Sequence, residues 1–275
     1  MISEEKSSSA AEKPSSRQEN VQVRLAEGPE EIEAIQKLRY PFFRKSDASG
    51  KDHGKDVDKF DDIADHLIVI DKRRGKGPNS IVGTYRLIKQ DVAEKHGGFY
   101  TSCEYDISCL TNRSLPALEL GRSCVLEEYR VKPVIQMLWD GISEYVIAHN
   151  IGTIFGCGSF TGTTDISEVS KHLSYLHHRH LAPEKLRAIA LPDRYIDMNL
   201  HSLDELDEKR IFSSLPPLLK GYLRIGSFIG DGAVIDYDLN MIDVCIILDM
   251  KHVVNRYKSH YEKRNKKPLP TINQN

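Results

Sequence analysis

The chain has 275 residues, 40% of them hydrophobic, which is enough for one large domain with a full core. Its 38 Lys and Arg against 40 Asp and Glu leave a net charge of -2, which excludes the strongly basic surface of a bulk nucleic-acid binder and makes any charge effect local. Five cysteines, an odd number without a CxxC pair, read as reduced thiols of a cytoplasmic protein and exclude a disulfide framework.

Residues 1–20 hold six serines and four glutamates but no large aliphatic beyond Ile2, and are expected to form a disordered tail. Glu4, Glu5, Glu12 and Glu19 argue against a targeting helix, which is poor in acids. Val21, Val23 and Leu25 then alternate with polar neighbours as a strand. Pro29 with Glu30 and Glu31 opens a helix carrying Ile32, Ile35 and Leu38. A polar stretch at 46–62 precedes two strands, 66–71 and 81–88, whose Lys/Arg/Gly connection predicts a hairpin. A further strand spans 115–125.

Pro133 suits a first helical turn, and Val134, Leu138, Ile142 and Val146 at helical spacing predict a helix to about Asn150. A buried strand at 153–160 follows, and Asp165 with Glu168 resembles a capping box for a helix through Leu173 and Leu176. The segment 215–229 is rich in Pro, Gly and Leu, a last strand covers 243–249, and 251–267 is basic and polar. The expected organisation is a folded domain at 21–250 between a tail at 1–20 and a basic polar tail at 251–275.

This order predicts an α/β (α+β) fold in which a mixed, twisted central sheet is flanked by helices, with an elaborated C-terminal part. A helix directly after a central strand bearing a carboxylate resembles the layout of the GNAT acyltransferases. The strings LRYPFF at 38–43, DKFD at 58–61, GTYRL at 83–87, LELGRSCV at 118–125 and GYLRIGSFIGDGAVID at 221–236 together resemble the ornithine-acyl-carrier N-acyltransferases of ornithine-lipid synthesis, from about Val21 to Met250. The N-terminal half is also similar to the acyl-homoserine lactone synthases at Arg39, Phe42 or Phe43, Asp58, Asp61, Arg86, Glu119 and Arg122. The resemblance implies transfer of a 3-hydroxy fatty acyl group from acyl carrier protein to the α-amine of ornithine, with no cofactor and no metal. An acyltransferase for another amino acid, a signal synthase, and a lipid-binding or haemolysin-like surface protein are the alternatives.

Aminolysis of a thioester needs a neutral amine, so Glu119 is the candidate base. Strand residues three apart face opposite sides, so Glu119 and Arg122 can share a site only across a distortion, for which Gly121 is placed as a bulge. A splayed strand there would also aim a backbone N–H, near Gly121 to Ser123, at the developing oxyanion. A structural ion pair between Glu119 and Arg122 is the competing reading. Arg86, and Arg39 by the resemblance, are expected to bind substrate, with Arg86 gripping the α-carboxylate or, on the alternative reading, standing as an exposed strand arginine. Asp58 and Asp61, one helical turn apart, could face ornithine's side-chain ammonium, or form a solvated acidic patch.

The place where CoA-using members carry a glycine-rich phosphate loop reads LEEYRVKP, which points to a phosphopantetheine arm met by Arg130 and Lys132 and to a basic rim for acidic acyl carrier protein, with a plain pair of surface cations as the competing reading. Cys124 reads as packing, the run HHRH at 177–180 as a polar helix end rather than a metal site, and SFIGDG as turn chemistry near the substrate. Apolar and basic groups at 216–224 and the basic end are candidates for contact with a membrane surface or, equally, for ordinary surface and core packing, and the longest apolar runs, such as 244–248, fall far short of the roughly 20 residues that span a bilayer.

Overall fold

The computed structural model describes residues 20–43, 54–130 and 132–271. The tail expected at 1–20 therefore lies, up to residue 19, outside the described residues, as does much of the polar stretch that begins at 46.

Strand β1 (Val21–Leu25) leads into helix α1 (Gly28–Phe43), where Glu30 and Glu31 sit in the first turn against the positive end of the helix dipole. Strands β2 (Asp65–Asp71) and β3 (Ile81–Lys89) form the expected antiparallel pair. Between β3 and the central strand lie small elements that the periodicity did not announce: helix α2 (Gln90–Lys95), strand β4 (Tyr105–Asp106) and helix α3 (Ser108–Thr111). Strand β5 (Ala117–Val125), helix α4 (Lys132–Ala148), strand β6 (Thr153–Thr161) and helix α5 (Ile166–His180) follow the predicted order. Asp165 caps α5 by accepting from the Ser167 N–H at 2.9 Å.

Beyond α5, strand β7 (Ile189–Ala190) and helices α6 (Glu208–Ser214) and α7 (Pro217–Ile225) precede a hairpin of β8 (Phe228–Asp236) and β9 (Met241–Asp249). The nine strands stand in the order β1-β2-β3-β5-β6-β9-β8-β7-β4. Only β5 with β6 and β7 with β8 run parallel among the described pairs. β9 is buried along its whole length, as a central strand covered on both faces should be.

Alternation along each strand sends residues to two layers. Leu67, Val69, Leu118, Leu120, Ile154 and Ile246 pack with Val134, Leu138, Ile142 and Val146 of α4 and with α5 and α7. On the other face Ile68 and Ile70 meet Ile35 of α1. Farther along that face, Ala117, Phe155, Cys245 and Ile247 pack under Phe99, Tyr105 and Leu110 from the inserted segment.

Two expectations change, and for a third the structure selects between the two readings. The segment expected as SFIGDG turn chemistry is strand: β8 pairs with β9 on both sides of a bulge between Ile229 and Ala233, where Gly232 has φ 86. The basic end is not a free tail, because residues Asn255–Asn265 form helix α8, with Tyr261 buried and Arg264 reaching Asp140 at 3.4 Å and Glu144 at 3.2 Å on α4. In the apolar stretch at 216–224, Leu219, Tyr222 and Leu223 are core, which leaves Leu218 as its exposed large apolar side chain. No helix among the described residues is long and apolar enough to cross a membrane.

Candidate active site

β5 and β6 pair only over residues 117–119 and 153–155, and beyond Glu119 the two strands part. The local cause is a bulge in β5. Thr84 faces Cys124 and Arg86 faces Gly121, so β5 carries one residue more than β3 across this interval. The surplus is taken up at Arg122, whose φ of 48 lies in the left-handed region that side chains seldom adopt. The distortion expected at Gly121 thus sits one residue later. At the parting point Gly156 is indispensable for space: a Cβ there would lie 2.1 Å from the Leu120 carbonyl oxygen.

The gap is a cleft of about 320 Å³ lined by Gly121, Arg122 and Ser123 on one bank and by Gly156, Cys157 and Ser159 on the other. Tyr85, Tyr222, Pro216 and Leu218 continue it toward the α7 side, and Phe42, Phe43 and Arg130 stand along it. A smaller cavity of about 50 Å³ shares Phe43, Leu120, Gly121, Arg122, Cys157, Ser159 and Met241 with the cleft and adds Arg86, Tyr100, Glu119 and Asp243.

Glu119 is 2% exposed and lines this smaller cavity. Its Oε1 accepts from the Thr101 N–H at 2.6 Å and from the Thr101 hydroxyl, and its Oε2 accepts from the Tyr100 N–H at 3.0 Å. Burial pushes its pKa above the usual carboxylate value, against the pull of the Thr101 donors. Oε1 is saturated, while Oε2 keeps a lone pair. An ion pair of Glu119 with Arg122, the competing reading of these two residues, does not form: Glu119 is held by the inserted segment and Arg122 by aspartates.

Those aspartates change the reading of the expected substrate groups. Arg39 meets Asp56 at 2.9 Å and Asp61 at 2.6 Å. Arg86 meets Asp58 at 2.6 Å and Asp61 at 3.3 Å, and Arg122 meets Asp56 and Asp58, each at 3.1 Å. Three guanidiniums and three carboxylates neutralise one another in a nearly dry layer. Burial raises the Asp58 and Asp61 carboxyls, but the arginines outweigh it and hold both below their ordinary value. Asp58 and Asp61 are therefore neither a solvated patch nor an open cation site, and Arg39, fully buried, lines neither the cleft nor the smaller cavity. Arg86 keeps one edge toward the cavity. Its Nε is buried without a hydrogen-bond partner among the described residues, and Gly121 leaves the space in front of it.

A second ionisable group lines the site beside Glu119. Cys157 donates to Glu104 Oε2 at 3.2 Å, and Glu104, Cys157 and Asp243 offer ligand-type atoms all within 4.8 Å of one another. Burial and the neighbouring acid raise Glu104 to about 8, and burial raises Asp243 to about 6 against the Ser159 hydroxyl, which favours the charged form. Asp243 Oδ1 is buried without a hydrogen-bond partner among the described residues. The available clue was Asp243 itself, an acid inside the otherwise apolar run 241–248, where a charge has no ordinary reason to be. The paired tyrosines, Tyr85 and Tyr222, with hydroxyls 3.3 Å apart in the cleft wall, carried no such clue.

Of the expected carrier contacts, Arg130 stands on the cleft with its Nε donating to the Val125 carbonyl at 2.8 Å and its guanidinium over the Phe42 ring. Lys132 begins α4, and its side chain lies outside the described residues. His177–His180 close α5, as expected of a polar helix end: His178 meets the His201 carbonyl and His180 the Tyr175 hydroxyl.

A sheet that opens between two parallel central strands, with a buried carboxylate at the closed end and a helix starting just past the opening, is the layout expected from the resemblance to the GNAT acyltransferases. Residues 38–140 match the acetyltransferase (GNAT) domain family. Over 88% of its length the chain is 42% identical to an L-ornithine N(alpha)-acyltransferase of Brucella abortus, covering 89% of that protein. It is 40% identical to the one of Rhizobium meliloti and 39% identical to the one of Agrobacterium fabrum, again over 88% of this chain and covering 84% and 85% of theirs. The chain belongs to the L-ornithine N(alpha)-acyltransferase family.

Proposed function

We propose that the protein transfers a 3-hydroxy fatty acyl group from the phosphopantetheine arm of acyl carrier protein to the α-amine of L-ornithine, giving lyso-ornithine lipid. The observation that carries this reading is the cleft between β5 and β6 with Glu119 at its closed end. An extended thioester arm fits an opening between strands, and the apolar bank at Pro216, Leu218 and Tyr222 suits an acyl chain. The names of the relatives support ornithine as acceptor.

In this reading Glu119 takes a proton from the amine, directly or through one water, using the free lone pair of Oε2. The amine nitrogen bonds to the thioester carbon. A backbone N–H of Gly121, Arg122 or Ser123, on the edge of β5 that β6 has left, donates to the oxyanion. The carbon–sulfur bond then breaks, and the proton passes from Glu119 to the departing thiolate. Arg130 meets the phosphate of the arm, close to the start of α4 and its helix dipole. The acyl group arrives on its own carrier, and the chemistry calls for no further cofactor.

The test is to incubate the purified protein with 3-hydroxyacyl carrier protein and L-ornithine, or other amino acids, and read the N-acyl product by mass. Product with ornithine is expected, and none with any amine would overturn the reading. Glu119→Ala is expected to lose roughly 10²- to 10⁴-fold in kcat with its circular dichroism retained. Unchanged turnover would place the base elsewhere.

A further inference from the structure

We infer that Asp243, backed by Glu104, is the group that receives the side-chain ammonium of the acceptor amino acid. The inference rests on the reading of the chain as an ornithine acyltransferase and assigns the specificity within that site. The small cavity has two unlike walls. One presents Arg86 and Arg122, and Arg86 Nε has no partner. The other presents Asp243, with Cys157 and Ser159 beside it and Glu104 behind Cys157. Glu119 lies between, tied to the second wall by Thr101, whose hydroxyl is 3.8 Å from Cys157 Sγ.

A diamino acid has a matching layout: a carboxylate for the arginine wall, an α-amine for Glu119, and, three methylenes on, a second ammonium. The aspartates first suited to that ammonium, Asp58 and Asp61, are already neutralised by three arginines. Asp243 is not. It is 2% exposed, its Oδ1 lacks a partner, and no ion pair reaches it or Glu104 among the described residues. A buried carboxylate left so is costly unless a cation arrives. Burial raises both acids, Asp243 to about 6 with Asp236 adding to it and Glu104 to about 8 with Asp243 and Asp236 adding to it, so a ligand ammonium relieves an existing cost. Glu104, Cys157 and Asp243 could also hold a metal ion, and the EDTA and zinc arms of the test below separate that occupant from an ammonium.

The test compares L-ornithine with L-norvaline, which has the same carbon chain without the second amine. Steady-state acylation and calorimetric binding are measured for the full chain and for Asp243→Asn, with and without EDTA. The wild-type protein is expected to favour ornithine, and Asp243→Asn to shrink that preference by roughly 10- to 100-fold in kcat/KM, the size of a lost buried charged hydrogen bond. An unshrunk preference overturns the proposal, as does a preference that EDTA removes and zinc restores. If the wild type acylates neither compound, the acyltransferase reading fails while calorimetry still tests whether Asp243 selects ornithine. Should Asp243→Asn fail to fold, Asp243→Glu, whose carboxylate reaches one methylene farther, is expected to shift the preference toward the shorter 2,4-diaminobutyrate. No shift overturns the proposal.

Discussion

Two charged clusters flank the small cavity, and they are built on opposite principles. On the α1 side, Arg39, Arg86 and Arg122 neutralise Asp56, Asp58 and Asp61 within hydrogen-bond range. Toward β9, Cys157 donates its S–H to Glu104, Asp243 lies close by, and neither acid forms an ion pair among the described residues, although Arg194 and Arg122 act on them from farther off. A balanced buried cluster has its interaction energy consumed internally, so it fixes geometry and offers a ligand little. An unbalanced one is a standing cost that binding can remove. Reading function from charge alone selects the first cluster; reading it from residual imbalance selects the second.

The largest effect that breaks this contrast is expected on stability. Arg39→Ala leaves Asp56 and Asp61 without their fully buried partner, and should cost about 3–5 kcal/mol in denaturant unfolding. A cost below about 1 kcal/mol would mean that the arginine layer is not a structural unit. The acid cluster should respond to pH instead. Glu104 is raised to about 8 in the folded protein, above its ordinary 4.5, so the folded state holds a proton that the unfolded chain has released. Its contribution is complete below about 4.5 and is lost as pH rises through about 8. Glu104→Gln, which cannot ionise, should therefore gain stability relative to wild type between pH 5 and 8, on the order of a few kcal/mol across the window. Parallel pH profiles would refute the buried-acid account. The smallest change is Tyr85→Phe, which removes the hydroxyl opposite Tyr222 in the cleft wall and should cost about 1 kcal/mol in unfolding without altering the ornithine preference.

The order of the main strands and helices from Val21 to His180 was legible because each carries its own period: Val134, Leu138, Ile142 and Val146 for a helix, Val21, Val23 and Leu25 for an edge strand. What was lost lies where burial is decided by distant chain. The small elements at 90–111 have no period, yet Thr101 and Tyr100 from this segment fix the Glu119 carboxylate. Helix α8 reads as a solvated tail, because only Tyr261 of its residues is buried and its hold on α4 runs through ion pairs. For the site, Glu119, Arg122 and the need for a distorted strand were visible in LELGRSCV. The partners that disarm Asp58 and Asp61 were not, since Arg39 and Asp61 are 22 positions apart and meet only once α1 lies on the sheet.

The contact between Gly156 and the Leu120 carbonyl has a consequence for how such a catalyst can diversify. The closed end of the cleft is set by backbone against backbone, with no side chain between. Residues that line the open length, among them Leu218, Met241 and Ile246, can therefore change size without moving the point where the strands separate. The point where the strands part and the lining of the open length are thus separate features, so the lining can be altered by substitution while the backbone contact that fixes the opening stays in place.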